Sequence, residues 1–437
     1  MNISDFLNEQ YSNSALYINY RSTPSYIDGL KNSARKVVYT AKKNNIKSQL
    51  KVATLGSKVV ETSGYIHGEA SIYGTIITMA QNFCGSNNLP VLTPVGSFGT
   101  RHIPEAAAPR YIFTKPSDYF DFLFRKEDDC NLIRQEFEGE EIEPMFYVPA
   151  VPLLLVNGSY GIGVGFSSTI LARNLKDVIK ATKACYHGKK AEELVPSWNG
   201  FDGEVSYLGN NKWEIKGKAE LNGRKLLVKE VPISYSLTKY LDVLRKLKEK
   251  GVIDRFVDCS ENDKFEFEIT LSIAESKKEL GKIMSDLKLV DMIAENLVCI
   301  DEHNAIREFS SVEEILSEYC KVRVSFLDKR IKSEIKRLEE EERYLYDCHR
   351  FVSEIVSGTM DVKSKSKKEL EKILADEKYG SIDKLVSMPI YSLTTDKVKE
   401  LEKKLADKYN ELEKMREETP ITVWDKDLAE LEKKLGI

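Results

Sequence analysis

The sequence predicts a multidomain α/β protein whose last third consists of long charged helices. Three observations support this prediction: the chain has 437 residues, strand-like and helix-like segments alternate through its middle, and its last third carries apolar residues at helical spacing. Because a single hydrophobic core rarely grows beyond about 300 residues, a chain of this length is expected to form about three domains. With 42% hydrophobic and 31% charged residues, the composition is that of a folded protein rather than a disordered one.

The first predicted domain, residues 1–145, contains short helices separated by turns. Residues 26–43 predict a turn followed by a helix, and residues 68–84 predict a second helix with apolar side chains on one face. Residues 90–113 are interrupted by four prolines and two glycines. They are therefore expected to form a structured loop or a strand-and-turn wing, where functional side chains often lie.

The second predicted domain, residues 146–308, has an α/β pattern. Short apolar runs bounded by turn residues predict strands at 151–156, 225–231 and 265–273. The segments between and after them predict helices at 175–186, 236–250 and 276–287, the second of them capped by Thr238.

The third predicted domain, residues 309–437, is helical and highly charged. Apolar residues along 312–338 and 398–415 recur three and four residues apart, with a break near Ser357 and Gly358 and a small globule at about 364–395. This pattern favours an antiparallel coiled-coil hairpin with a knob at its tip, although two ordinary helices of a bundle fit it equally well. Residues 425–437 predict a short charged helix with no evident chemistry.

Several classes of protein are excluded by what the sequence lacks. No apolar run approaches the roughly 20 residues of a membrane-spanning helix, and the first residues lack the layout of a signal peptide. The seven cysteines are scattered without a C-x-x-C pair, and neither a phosphate-binding G-x-x-x-x-G-K-[ST] loop nor an H-E-x-x-H motif is present. We therefore expect a cytoplasmic protein without a membrane anchor, a zinc finger or a metal site of its own.

The charge is unevenly distributed along the chain. The net charge is −4, yet residues 1–116 hold twelve Lys and Arg against six Asp and Glu, and residues 21–60 hold nine against one. A basic segment in an acidic protein indicates an anionic partner, most simply nucleic acid. A lysine-rich solvated helix surface explains the charge alone equally well.

A few side chains in this basic region are suited to phosphate chemistry. Arg110 and Tyr111 follow A-A-A-P, and His67 lies upstream in G-Y-I-H-G-E. A tyrosine hydroxyl, with a pKa of about 10, attacks well only when a base or nearby cations favour the phenolate. An adjacent arginine can hold a phosphate and stabilise charge on its oxygens, and a histidine can orient a phosphate or move a proton. The run G-I-G-V-G at 161–165 lacks the frame of a dinucleotide-binding site, so we expect a tight backbone turn there.

Five motifs in a fixed order then suggest a family. They are D-G-L-K-x-x-x-R-K at 28–36, G-Y-x-H-G-E at 64–69, G-S-F-G at 96–99, A-A-A-x-R-Y at 106–111 and V-N-G-S-x-G-I-G-V-G at 156–165. In this respect nearly the whole chain resembles the breakage-reunion subunit of type IIA DNA topoisomerases, such as gyrase A and topoisomerase IV A. Within that family it is most similar to the medium subunits of T-even-type bacteriophages, which would place it in the host cytoplasm.

The resemblance implies a fold for each predicted domain. Residues 1–145 would form a winged-helix DNA cleavage domain with an N-terminal arm, and residues 146–308 an α/β tower domain. Residues 309–437 would form a long antiparallel coiled coil with a small terminal dimerisation globule.

It also implies roles for individual residues. Tyr111 would attack a DNA phosphate and become linked to the 5′ end, and Arg110 would hold that phosphate. Arg35 would add positive charge at the same site, and His67 would contact the DNA phosphate. The remaining matches are three basic residues that would contact DNA and an isoleucine that would wedge between base pairs, namely Arg21, Lys31, Lys36 and Ile162.

The implied partners are double-stranded DNA, a second copy of the chain, and a separate ATPase/Toprim polypeptide that holds Mg²⁺ and ATP.

Three departures from the family are visible. Where bacterial members have the two histidines of H-P-H-G, this chain has only Ile66-His67-Gly68, so that the shared role would fall on His67. Asn32 replaces a proline, and the chain ends after the coiled coil, which favours relaxation or decatenation over supercoiling. Two other classes remain: a non-catalytic DNA-binding scaffold, and a tyrosine recombinase or nicking enzyme that needs neither a second subunit nor ATP.

Overall fold

A computed structural model describes residue 3 and residues 6–362, 365–389 and 393–437. The chain divides into two compact units. The first comprises the residues up to Arg323 together with Asp425–Ile437, and the second comprises Val324–Trp424. Within the described ranges, no helix combines the length and apolar composition that a membrane crossing needs.

The first unit begins with helices that surround a small sheet. A π-helical turn at Phe6–Tyr11 precedes four helices: α1 Ser12–Ser22, α2 Asn32–Lys43, α3 Val52–Ser63 and α4 Glu69–Ala80. The three strands β1 Leu50–Lys51, β2 Leu92–Val95 and β3 Phe113–Pro116 form an antiparallel sheet in the order β1-β3-β2. Helices α2 and α4 confirm the helices predicted within 26–43 and 68–84; the buried residues of α4 are apolar, whereas α2 buries Arg35 and Lys36 as well as its apolar residues.

Short elements connect this region to the middle of the chain. They are α5 Phe120–Leu123, a 3₁₀ turn at Lys126–Asn131, β4 Gln135–Phe137, β5 Glu140–Ile142, α6 Leu153–Asn157, β6 Ser159–Ile162 and β7 Ser167–Ile170. The strand predicted at 151–156 is wrong, since these residues begin the short helix α6. The apolar side chains Leu153–Val156 are all buried, and a short, fully buried run has no periodicity that separates strand from helix.

The middle of the first unit is an α/β region. Its elements are α7 Leu175–Tyr186, β8 Glu204–Gly209, β9 Lys212–Lys216, β10 Lys218–Asn222, β11 Lys225–Glu230, α8 Leu237–Glu249, β12 Ile253–Asp258, β13 Phe267–Leu271, a 3₁₀ turn at Glu275–Lys277, α9 Leu280–Asp286 and β14 Val290–Ala294. Two antiparallel sheets have the strand orders β10-β11-β13-β12 and β14-β9-β8. A further pair, β15 Val298–Ile300 with β16 Ile306–Glu308, follows them.

Alternating side chains build the core of this α/β region. Leu226 and Val228 of β11, Phe267 and Ile269 of β13 and Tyr240 of α8 all belong to one buried cluster. The predicted strands at 225–231 and 265–273 and the three predicted helices are therefore confirmed. The predicted cap Thr238 is wrong, because the hydroxyl of Ser236 accepts the capping hydrogen bond from the Lys239 amide.

The second unit contains most of the long helix α10, Val312–Val356, and the helices α11 Lys367–Asp376, α12 Ile382–Val386 and α13 Thr395–Glu417. Two ion pairs, Lys408–Glu341 at 3.0 Å and Arg416–Glu339 at 2.7 Å, join α13 to α10. Lys408 of α13 pairs with Glu341, and the later residue Arg416 pairs with the earlier residue Glu339 of α10. The two helices therefore run antiparallel. The predicted break after Val356 is confirmed; parts of the predicted globule, 364 and 390–392, lie outside the described residues.

The closing helix α14, Pro420–Leu435, is longer than predicted. From Asp425 onward it belongs to the first unit, where ion pairs hold it. The guanidinium of Arg323, fully buried, donates to Asp128 at 2.6 Å and to Asp427 at 2.9 Å. The charged residues of this helix therefore have a structural use that its sequence alone did not indicate.

Candidate active site

Tyr111 and Arg110 lie at the surface, directly before strand β3. The side chain of Tyr111 is 66% exposed, and the guanidinium of Arg110 lies 4.9 Å from the centre of its ring. The Tyr111 amide donates to the carbonyl of Ala108 at 2.9 Å in a turn that presents both side chains. A phenol and a guanidinium so placed can reach the same phosphate group from outside the protein.

The backbone on both sides of Tyr111 is held firmly. The amide of Val52, the first residue of α3, donates to the carbonyl of Ile112 at 3.0 Å, and the Ala53 amide donates to that of Pro109 at 3.2 Å. On the preceding arm of the loop, the Ala107 amide donates to Ser97 at 2.9 Å. An exposed side chain on a fixed backbone is the arrangement expected of a positioned nucleophile.

His67 contacts Tyr17 of helix α1, and Arg21 of the same helix lies beside that tyrosine. Its Nε2 shares a hydrogen bond with the hydroxyl of Tyr17, and the guanidinium of Arg21 lies 5.9 Å from the centre of the Tyr17 ring. Partial burial, then the positive charges of Arg21 and Lys36, lower the pKa of His67 below its ordinary value of 6.5. A neutral imidazole at pH 7 has one N–H, which can donate a hydrogen bond to an oxygen of a bound phosphate.

Sequence reasoning missed Tyr17. Tyr17 and Arg21 are four residues apart in one helix, which places both side chains on the same face. This spacing was the one signal in the sequence that could have identified Tyr17 as part of the site. Its contact with His67, fifty residues away, had no signal in the sequence.

Two of the predicted site residues point inward. Arg35 is 3% exposed, and its guanidinium donates to the carboxylate of Asp28 at 2.7 and 3.2 Å. Lys36 donates to Glu143 at 2.8 Å and to the carbonyl of Ser63 at 2.6 Å. Both charges are compensated inside the protein, and the role of Arg35 at the scissile phosphate and the DNA contact of Lys36 stay predictions.

Ile162 lies on a hairpin of β6 and β7, where it pairs with Ser167 and is 65% exposed. Tyr160, also exposed, precedes it by two residues on the same face of the strand. The carbonyl of Tyr160 accepts a hydrogen bond from Lys31 at 2.6 Å, which places that predicted residue beside the hairpin. The run 161–165 thus forms a strand and its turn, rather than the single tight turn that was expected.

The alternating glycines of this run have a steric reason. A Cβ atom on Gly161 would lie 2.1 Å from the carbonyl oxygen of Ser22, and one on Gly163 would lie 2.1 Å from Oδ1 of Asn19. That same oxygen accepts a hydrogen bond from the Val164 amide at 2.6 Å. One side of β6 therefore lies flat against helix α1, while its opposite side carries the exposed Ile162.

The structure thus forms three small groups: Arg110 with Tyr111, His67 with Tyr17 and Arg21, and Lys31 with the hairpin of Ile162. Throughout the described ranges, no group of three or more His, Cys, Asp or Glu side chains is placed to hold a metal ion.

Comparison with known proteins identifies the family. The family model for the A-type subunit of DNA gyrase/topoisomerase IV matches residues 21–429. The mitochondrial DNA topoisomerase 2 of Dictyostelium discoideum is 34% identical over 449 residues, which cover 99% of this chain and 35% of that protein. The DNA topoisomerase 2-alpha of Cricetulus griseus is 31% identical over 479 residues, covering 98% of this chain and 31% of its own length.

A solved structure supports the same assignment. The crystal structure of the Plasmodium falciparum topoisomerase II DNA-binding, cleavage and re-ligation domain superposes with a TM-score of 0.89 at 33% identity. It covers 99% of this chain, and this chain covers 64% of it; the chain spans about a third of the length of the curated relatives. Because the family match extends over most of its length, the chain belongs to the family of DNA gyrase/topoisomerase IV A-type subunits.

Proposed function

We propose that this chain is the breakage-reunion subunit of an ATP-dependent type II DNA topoisomerase. The observation that carries the proposal is the exposed phenol of Tyr111 beside the Arg110 guanidinium, on a loop whose backbone is held on both sides. The names of the relatives, which are DNA topoisomerases 2, support the same reaction class.

The reaction is a transesterification. The oxygen of Tyr111 attacks the phosphorus of a DNA phosphodiester, a Tyr–O–P bond forms, and the P–O3′ bond breaks. The phenolic proton is lost and the 3′ oxygen gains one, so the DNA keeps a free 3′ hydroxyl and a 5′ end linked to the protein. Because one phosphodiester replaces another, the reverse reaction reseals the strand without an external energy source. Arg110 stabilises the negative charge that develops on the phosphate oxygens.

DNA binding is assigned to the basic region and the hairpin. Arg21 and Lys31 contact backbone phosphates, which carry affinity but no sequence information. Ile162 wedges between base pairs and bends the duplex, so that sequence preference follows local deformability. In this proposal residues 1–145 form a winged-helix domain and residues 146–308 a tower domain.

The working assembly contains two copies of the chain, because a double-strand break needs two nucleophiles. The antiparallel helices α10 and α13, with the small globule between them, form a second dimer contact through which the transported duplex leaves. Following the family resemblance, we assign Mg²⁺ and ATP to a separate ATPase/Toprim polypeptide. Mg²⁺ would supply further charge stabilisation at the scissile phosphate.

We further propose that the chain belongs to the T-even bacteriophage subgroup, that it acts in the cytoplasm, and that its net activity is relaxation or decatenation of DNA.

The test compares the wild-type chain with Tyr111→Phe. Each is mixed with the ATPase/Toprim polypeptide, Mg²⁺ and plasmid, stopped with detergent, treated with protease and scored for double-strand breaks bearing peptide at the 5′ ends. Adducts in the wild type and none in the variant would support the proposal. Adducts formed by the variant would remove Tyr111 as the nucleophile, and DNA binding without adducts in either protein would favour the non-catalytic scaffold.

A further inference from the structure

Arg101 is an unusual residue in the loop that leads to Tyr111. It lies at the far end of that loop and is only 4% exposed. Its guanidinium forks onto the carboxylate of Glu230 at 2.9 and 3.1 Å and donates to the carbonyl of Val231 at 2.9 Å. It also lies 4.8 Å from the centre of the Phe265 ring. The loop is thus anchored in the α/β region.

Glu230 is as well held as its partner. It is 4% exposed, and it accepts hydrogen bonds from the amides of Val231 at 2.9 Å and Asp202 at 3.2 Å. A buried ion pair with this many partners has one geometry, and removal of either charge leaves the other uncompensated. The Arg101–Glu230 contact is therefore a rigid joint.

Arg101 is connected to Tyr111 through the two arms of the loop, which are the residues before and the residues after Arg101. The Thr100 amide donates to the carbonyl of Ile103 at 2.8 Å, and the Gln81 side-chain amide donates to the carbonyls of Phe98 at 2.9 Å and Pro104 at 3.1 Å. Gly99, at a φ of +88°, permits the close approach of the arms, since a Cβ there would lie 2.4 Å from the Pro104 oxygen. Movement at Arg101 is thereby passed to the arm that carries Tyr111.

The other end of the joint leads to the hairpin of Ile162. Thr169 of β7 exchanges two backbone hydrogen bonds of 2.9 Å with Asn296, and the adjacent Glu295 accepts from the Leu171 amide at 2.8 Å. These residues follow β14, which pairs with β9; Gly217 joins β9 to β10, and β10 pairs with β11, the strand that ends at Glu230. Alternating strand pairs and short chain connections therefore link the hairpin to the joint.

We propose that Arg101 is a positioning residue for Tyr111, and that its pair with Glu230 couples the bend of DNA around Ile162 to the placement of the nucleophile. This inference rests on the proposed function. A rigid connection between the bending element and the loop aligns Tyr111 with its phosphate when the duplex is deformed, and a small misplacement of a reacting group lowers rates strongly.

The test uses Arg101→Gln in the assembly with the ATPase/Toprim polypeptide, Mg²⁺ and an end-labelled duplex. Single-turnover adduct formation, DNA affinity and DNA bending by fluorescence energy transfer are measured. We expect adduct formation to fall by about 10- to 100-fold with affinity and bend unchanged, because the lost interaction acts on alignment alone. The matched control is Arg224→Gln in the same α/β region, which removes an ion pair with Asp254 and hydrogen bonds to the Leu271 carbonyl and should leave adduct formation, affinity and bend unchanged.

A double variant separates coupling from simple structural support. With Arg101→Gln present, Ile162→Ala should still reduce the bend but should lower adduct formation no further. The proposal would be overturned if the two substitutions lowered adduct formation by factors that multiply in the double variant. It would also be overturned if Arg101→Gln cleaved DNA at the wild-type rate, or if its loss of cleavage were fully explained by weaker DNA binding. If Arg101→Gln does not fold, Glu230→Gln, which keeps the side-chain shape, is scored by the same criteria. Absence of adducts in the wild type would instead contradict the proposed function.

Discussion

Arg110 and Arg35 are two arginines of the same basic region with opposite environments. Arg110 lies at the surface beside Tyr111, with no carboxylate among the partners described for it. Arg35 lies inside, with its guanidinium on the carboxylate of Asp28. The Asp28 carboxylate also accepts hydrogen bonds from the amides of Leu30 and Tyr147. The Arg35–Asp28 pair therefore holds the D-G-L-K turn against the distant segment that contains Tyr147. The difference is that the Arg110 guanidinium is exposed, whereas the Arg35 guanidinium is buried and paired with a carboxylate.

The largest effect expected from this comparison is on stability. Arg35→Met leaves the Asp28 carboxylate buried without its counter-charge, which should lower the free energy of unfolding by about 3–5 kcal/mol. Denaturant unfolding followed by circular dichroism measures it. The double variant Arg35→Met/Asp28→Asn should recover part of the loss. An unfolding free energy unchanged in Arg35→Met would break the comparison, because it would mean that the buried pair contributes nothing to the fold.

The next effect is on catalysis. Arg110→Ala removes the exposed guanidinium beside Tyr111, which should lower the rate of adduct formation by about 100-fold or more while stability changes by less than about 0.5 kcal/mol. Adducts are counted in the assembly under single-turnover conditions. If stability fell as much as in Arg35→Met, Arg110 would have to be regarded as a structural residue.

Two lysines sharpen the comparison further. Lys31 lies at the hairpin, whereas Lys36 is paired with Glu143 inside the protein. Lys31→Met should reduce the slope of log affinity against log salt concentration by about one, as expected when one phosphate contact is lost. Lys36→Met should lower stability and leave that slope unchanged. A reduced slope in folded Lys36→Met would instead show that this lysine reaches DNA, as the family resemblance predicts.

The smallest effect concerns His67. Burial and the charges of Arg21 and Lys36 hold its pKa below 6.5, so the unfolded chain binds more protons than the folded one as pH falls. The stability that His67 contributes is therefore fully present above pH 6.5 and is lost as pH falls through the lower folded pKa. Arg21→Ala should raise this pKa, measured by NMR titration of the imidazole. A titration midpoint above 6.5 in the wild type would contradict the placement.

Much of the fold follows from the sequence, because the relevant patterns are local. Helices α2 and α7 were predicted from helical patterns and strands β11 and β13 from short runs bounded by turn residues, and all four form where they were expected. The short helix α6 was missed because its buried side chains lack a period.

The site was predictable where the motif is local, as at Arg110 and Tyr111. The inward orientation of Lys36 was not predictable, since its partner Glu143 lies more than one hundred residues away. The bond between Tyr17 and His67 was hidden for the same reason. Tertiary contacts of this length decide which charges face a ligand.

The glycines of strand β6 have a mechanical consequence. Because Gly161 and Gly163 bring the strand into direct contact with helix α1, its backbone packs on the Ser22 carbonyl and on the side chain of Asn19, which two hydrogen bonds with Val164 hold in place. A stiff duplex pressing on Ile162 would therefore meet backbone and one hydrogen-bonded side chain rather than a layer of mobile side chains. The force would pass from Ile162 through strand β6 into helix α1, and the work done would deform the DNA rather than the protein.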